Sequence, residues 1–167
     1  MKKCSSAPLI VLLLSFASTY LNAQAKLAVY GTVGGEKPGI VNDNGWITAG
    51  TAGLYVGLFN FGPVAISADG RAELASTIKS GLVGPRIALH LPVMPLKPYV
   101  EVLVGGSTYP NLPNGIPLKS RFAGRFVAGV DTTILPRIDW RIVDFGYGIT
   151  AANPRAATLT TGVVVRF

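Results

Sequence analysis

Cysteine, histidine and charge are all scarce in this chain, and each shortage removes a class of function. Only one cysteine, Cys4, and one histidine, His90, occur among 167 residues. Cys4 lies ahead of an apolar core that begins at Leu9, not directly behind it as a lipoprotein anchor requires, and it is expected to leave with an export signal. The rest of the chain then has no thiol, which excludes a disulfide, a thiolate metal site and a cysteine nucleophile. A single imidazole with dispersed carboxylates has no metal-ligand spacing, and no cofactor is implied. Gly31-Thr32-Val33-Gly34-Gly35 has no Gly-Lys-Ser/Thr after it, so it reads as a strand end and loop rather than a phosphate cradle. Charged residues make up 14% of the chain and never gather into a Lys/Arg run, so nucleic acid is not an expected partner.

A long apolar run is the other absence. Lys2 and Lys3 precede about a dozen apolar residues and Ala23-Gln24-Ala25 closes the segment, the pattern of a cleaved signal peptide over residues 1–25. Its core is too short for a permanent helical span, which needs about twenty residues. Residues 26–167 are then one domain. Without Lys2 and Lys3 it holds 13 basic and 8 acidic residues, a net charge of +5. The chain is 49% hydrophobic and its mean hydropathy is positive, yet no helix-length apolar stretch follows the signal. A membrane β-barrel reconciles these facts, because only every second residue of each strand faces lipid.

Eight apolar-rich stretches follow, at about 27–34, 48–60, 64–74, 81–93, 97–108, 121–133, 138–148 and 156–167. Each is near the ten residues or so that a tilted strand needs to cross a bilayer. Glycines inside nearly all of them argue against helices, where each costs about 1 kcal/mol relative to alanine. Three short proline-containing connections, at Phe61-Gly62-Pro63, Met94-Pro95-Leu96 and Leu135-Pro136-Arg137, alternate with four longer or more polar ones, at 35–47, 75–80, 110–120 and 149–155. That order predicts an all-β fold: an eight-stranded, antiparallel, up-and-down transmembrane β-barrel with both termini on the periplasmic side. The prolines and asparagines of 35–47 and 110–120 are mostly turn chemistry and identify no surface ligand.

Parity assigns the faces. Val64, Ile66, Ala68, Ala72 and Leu74 oppose Ser67, Asp69, Arg71 and Glu73. Val83, Ile87, Leu89, Leu91 and Val93 oppose Ser80, Gly84, Arg86 and His90. Phe122, Phe126, Ala128 and Val130 oppose Arg121, Arg125 and Asp131, and Leu159, Val163, Val165 and Phe167 oppose Thr158, Thr160 and Arg166. In the seventh strand Trp140 and Ile142 share parity with Asp144, which predicts a bulge near Val143 that turns Asp144 inward and Phe145 and Tyr147 outward. The alternative is a lipid-facing Asp144 at the outer rim. A soluble lipocalin-type barrel would be apolar inside; the sparse charge on the polar face, and aromatics near strand ends (Trp46, Phe59, Phe61, Tyr99, Tyr109, Phe145, Tyr147, Phe167), favour the membrane form.

The ending Thr161-Gly162-Val163-Val164-Val165-Arg166-Phe167 resembles the C-terminal strand by which outer-membrane barrels are recognised for insertion. Lys97-Pro98-Tyr99-Val100-Glu101 with Val104-Gly105-Gly106 resembles the fifth strand of small OmpA-like barrels, and Gly129-Val130-Asp131 through Pro136-Arg137 their next hairpin. The resemblance spans residues 26–167. It implies a bacterial outer-membrane barrel with surface-exposed loops, no known catalytic set, and no peptidoglycan-binding domain. Outer-membrane lipid, lipopolysaccharide and the barrel-assembly machinery, which would read Phe167, are the partners it implies.

An eight-stranded barrel is just wide enough inside for side chains. Asp69, Arg71, Glu73, Arg86, His90, Glu101, Arg121, Arg125, Asp131, Asp139, Arg141 and Arg166 are therefore expected to form an ion-pair network that plugs the lumen. The function this favours is non-enzymatic, in envelope integrity or surface interaction. A narrow porin-like channel with weak anion preference is the alternative, because arginines outnumber acids in that set. A lipid-modifying enzyme is more distant: it needs a histidine and a serine near the outer, lipid-facing rim, whereas His90 falls near Pro92 and Pro95 at the periplasmic end on the polar face. A lumen histidine satisfied by Glu or Arg neighbours is the role expected for it.

Overall fold

The computed structural model describes residues 26–37, 45–75, 79–90, 94–108, 121–150 and 155–167. The expected signal peptide over residues 1–25, the loop at 110–120, Tyr109, Leu91 and Val93 lie outside the described residues. Eight strands follow one another: β1 (Leu27–Lys37), β2 (Ile47–Phe61), β3 (Val64–Ala75), β4 (Lys79–Leu89), β5 (Leu96–Thr108), β6 (Arg121–Leu135), β7 (Ile138–Thr150) and β8 (Arg155–Arg166). Every strand pairs antiparallel with its neighbours in sequence, and β1 pairs with β8, so the sheet closes into a barrel with no free edge along its body.

The faces follow the parity of the sequence and are opposite to those of a soluble barrel. Val83, Val102, Val104, Phe122, Phe126, Leu159 and Val163 are exposed on the outside, while Asp69, Arg71, Glu73, Arg86, Glu101, Arg125 and Asp131 are buried within. Exposed apolar surface on this scale, around a charged interior, is the inversion that a lipid solvent requires.

Two connections are two-residue turns. Gly62 has φ 58°, the positive value that a type II′ hairpin turn needs at its first central residue, and Pro63 follows it. Pro136 opens the other, at Pro136–Arg137. The third short connection differs from expectation: β4 stops at Leu89, so the link to Leu96 is longer than the three residues read from the sequence. Its partner runs out there, because Leu89 faces Val64, the first residue of β3, and the His90 amide donates to the Pro63 carbonyl at 2.6 Å. At the opposite end β1 continues to Lys37, which takes Gly35 and Glu36 out of the expected loop and turns Glu36 into the barrel.

The register of β7 slips where the sequence shows a parity conflict. On the β6 side Val130 faces Val143 and Asp131 faces Arg141; on the β8 side Arg141 faces Gly162 and Asp144 faces Thr160. Ile142 and Val143 thus oppose Thr161 alone, which is a β-bulge. Asp144 is 2% exposed, and Phe145 and Tyr147 point outward. A second bulge, between Gly57 and Phe59 in β2, carries no such charge to reveal it in sequence.

Candidate functional site: the lumen

The inward-facing positions of β3 to β7 supply arginines and carboxylates in alternation, and closure of the barrel brings them together. Arg71 of β3 pairs with Glu101 of β5. The other Glu101 oxygen meets Arg86 of β4 at 3.1 Å, and Arg86 reaches Asp131 of β6 at 2.8 Å. Asp131 accepts from Arg141 of β7 at 2.9 Å, Arg141 meets Asp144 at 3.2 Å, and Asp144 returns to Arg71 at 3.3 Å. Three guanidinium groups and three carboxylates thereby form a closed ring of alternating sign. Its charges cancel where desolvation of an unpaired ion would cost several kcal/mol.

Tyrosines from β1, β2 and β5 fill the spaces between these charges. The Arg141 guanidinium lies 4.2 Å from the Tyr30 ring centre and 4.7 Å from that of Tyr99, and Arg86 lies 4.2 Å from Tyr55 and 4.3 Å from Tyr99. These are cation–π distances in a desolvated setting. Their hydroxyls complete the acids: Tyr99 donates to Asp144 at 2.6 Å and Tyr30 to Asp69 at 2.9 Å. Glycine makes the room. A Cβ at Gly53 would collide with the Tyr30 hydroxyl, and one at Gly129 with that of Tyr99.

Above the ring, toward the longer loops, Arg125 holds Glu73 at 2.9 Å and the Thr158 hydroxyl at 3.3 Å. Glycines 146 and 148 of β7 leave the space its side chain occupies. Leu82, Leu103, Ala123 and Val127, from β4, β5 and β6, belong to one buried apolar cluster. Below the ring Asp139 binds both Lys97, at 2.9 Å, and Arg166, at 3.0 Å.

Of the residues expected in the lumen, Asp69, Arg71, Glu73, Arg86, Glu101, Arg125, Asp131, Asp139 and Arg141 are buried there together. Arg166 is at the rim, its side chain 33% exposed. The Arg121 side chain lies outside the described residues. His90 sits past the end of β4, exposed at the mouth of the lumen, and the strongest charges acting on it are Lys97, Arg86, Arg166 and Lys26. Partial desolvation at that mouth, and then these cations, hold its imidazole below the usual pKa.

Tyr99 departs from expectation. It is 3% exposed inside the barrel and takes no part in an aromatic girdle, because it shares parity with Glu101 two residues on, which was the available signal. Tyr30 shares parity with Ala28 and Thr32 in the same way. Glu36, Lys97 and Asp144 are further lumen charges. With them the described lumen holds seven carboxylates against seven Lys and Arg side chains, Lys26 and Arg166 at its mouth included, so among the described residues the charges balance.

No protein-family model matches this chain, and no curated protein matches it in sequence. Its fold is shared with solved structures. Neisserial surface protein A is 17% identical, with a TM-score of 0.56 over 84% of this chain and 97% of that one. The N-terminal β-barrel domain of Pseudomonas aeruginosa OprF is 13% identical, with a TM-score of 0.56 over 86% and 98%. The outer membrane enzyme PagL is 11% identical, with a TM-score of 0.53 over 83% and 98%. At these identities the likeness is one of architecture, and the architecture of this chain is that of the small, closed, eight-stranded outer-membrane β-barrels.

Proposed function

We propose that this chain is a non-enzymatic, non-conducting barrel of the bacterial outer membrane with a role in envelope integrity or surface interaction. Residues 1–25 direct its export across the inner membrane, and the termini and short turns face the periplasm. Outer-membrane lipid and lipopolysaccharide surround it, and the assembly machinery reads Phe167 during insertion. The observation that carries the reading is the closed ring of Arg71, Glu101, Arg86, Asp131, Arg141 and Asp144. Packed with Tyr30, Tyr55 and Tyr99, it occupies the cross-section through which any solute would pass.

The barrel architecture also serves an outer membrane enzyme, so the non-enzymatic reading rests on local chemistry. Among the described residues no hydrogen bond joins His90 to a serine or a carboxylate, and the cations around it oppose the protonated state that a general base reaches in turnover.

The test has two steps. Refolded chain is first compared by gel migration with and without boiling, where a compact detergent-resistant barrel shifts on boiling. It is then added to planar bilayers. The expected result is a heat-modifiable band and no steady single-channel step; a reproducible step above background would replace this reading with the porin-like one.

A further inference from the structure

Below the charged ring the lumen widens into a blind vestibule of about 640 Å³ that opens at the turn end. This is the periplasmic end in the orientation proposed above. Its volume falls within the roughly 300–1,000 Å³ typical of small-molecule sites. The basic side chains lining it are Lys26, Arg86, His90, Lys97 and Arg166, and no acidic side chain lines it.

The counter-charges are too few to neutralise that wall. Arg86 is satisfied from behind by Glu101 and Asp131 of the ring. Lys97 and Arg166 share the single carboxylate of Asp139. Lys26 has no carboxylate within salt-bridge distance among the described residues, and the Arg166 Nε is buried without a hydrogen-bond partner. The field is felt at His90, where the strongest charged influences on the imidazole are cations, from β4 (Arg86), β5 (Lys97), β8 (Arg166) and the segment before β1 (Lys26).

The opposite wall is different in kind. Ala28, Tyr55, Leu58 and Ala65 line it, from β1 and the β2–β3 hairpin. That hairpin reaches below the first pair of the β1–β2 ladder, Leu27 with Val56, as the bulge at Gly57 carries β2 onward. One wall offers unneutralised cations and the other an apolar surface. We infer that the vestibule is a binding site for a small soluble organic anion, one oxyanion group on an apolar body. The oxyanion sits among Lys26, Lys97 and Arg166, and the apolar body lies against Ala28, Tyr55, Leu58 and Ala65. The ring above closes the site, so the ligand enters and leaves by the same mouth.

His90 is the sole imidazole of the chain and therefore reports directly on occupancy. In nanodiscs of zwitterionic lipid, its titration is followed by NMR with histidine-labelled protein. Benzenesulfonate serves as the probe because its charge does not change over the titration, and neutral benzenesulfonamide as the control of equal shape. A bound anion favours imidazolium, so benzenesulfonate should raise the His90 pKa by about half a pH unit or more, and the sulfonamide should not. The Lys26→Gln/Arg166→Gln double variant should weaken binding by about tenfold, as expected for losing two cations that face the ligand. Lys26→Gln alone breaks no recorded ion pair, so it serves as a folded reference that should bind about threefold more weakly on the same argument. A His90 titration that benzenesulfonate leaves unmoved, or that both probes move equally, overturns the proposal. So does an equal rise produced by anionic lipid in the nanodisc without any probe, which would make the occupant a headgroup.

Discussion

Arg141 is the side chain on which the lumen network most depends, and its removal gives the sharpest test of the packed-ring argument. It is 0% exposed, binds Asp131 and Asp144, and stacks on Tyr30 and Tyr99. Arg141→Met keeps most of the volume and deletes the charge. Deleting one partner of a buried ion pair costs about 3–5 kcal/mol. Neither acid is orphaned here: Asp131 retains Arg86, and Asp144 retains Arg71 and the Tyr99 hydroxyl. The low end, about 3 kcal/mol, is therefore expected. For a denaturant slope of about 2 kcal/mol per molar, that lowers the urea midpoint by roughly 1.5 M. Unfolding of the refolded barrel is read from tryptophan fluorescence; Trp140, adjacent to Arg141 and bonded to the Thr161 hydroxyl at 3.1 Å, is a local reporter. Lys79→Met, at an exposed position, is the control and should stay within about 0.5 kcal/mol. The double variant with Asp144→Asn should show a coupling of about 1 kcal/mol or more. An Arg141→Met midpoint indistinguishable from that of Lys79→Met would refute the claim that the ring contributes to stability.

Other outcomes follow from the same geometry. Gly129→Val places a side chain against the Tyr99 hydroxyl and the Val143 carbonyl and should cost roughly 1–3 kcal/mol; Gly31→Ala, whose Cβ meets nothing within 4 Å, should be neutral in the same unfolding assay. Because the ring is shielded from ions, raising salt to about 0.5 M should leave the Arg141→Met penalty nearly unchanged, whereas a penalty that shrinks with salt would mean that water reaches the ring. Phe167 is 69% exposed and holds its place through its amide, which donates to the Leu27 carbonyl at 2.8 Å. Phe167→Ala should thus shift refolded stability by less than about 1 kcal/mol while slowing insertion in cells; normal insertion would remove its role as a recognition signal.

Strand number, strand order and the direction of nearly every side chain were legible in the sequence, because the period of two in a β-strand is local. One charge in conflict with that period was enough to locate the β7 bulge, since a misplaced Asp144 would meet lipid. The same rule held the signal for Tyr99, whose parity with Glu101 outweighs its place near a strand end. The end of β4 was not legible: it is set by where β3 begins across the sheet, not by residues in β4. Glu36 was hidden for the same reason, because β1 extends only as far as β2 and β8 can pair with it. Nor could a sequence tell which acid meets which arginine. Arg71 and Asp144 lie 73 residues apart and meet only because β1 closes on β8. Closure decides the ring and the tyrosines between its charges. It also decides the charge balance and the blind vestibule beneath, since each is a property of side chains facing one another across a lumen that no single strand contains.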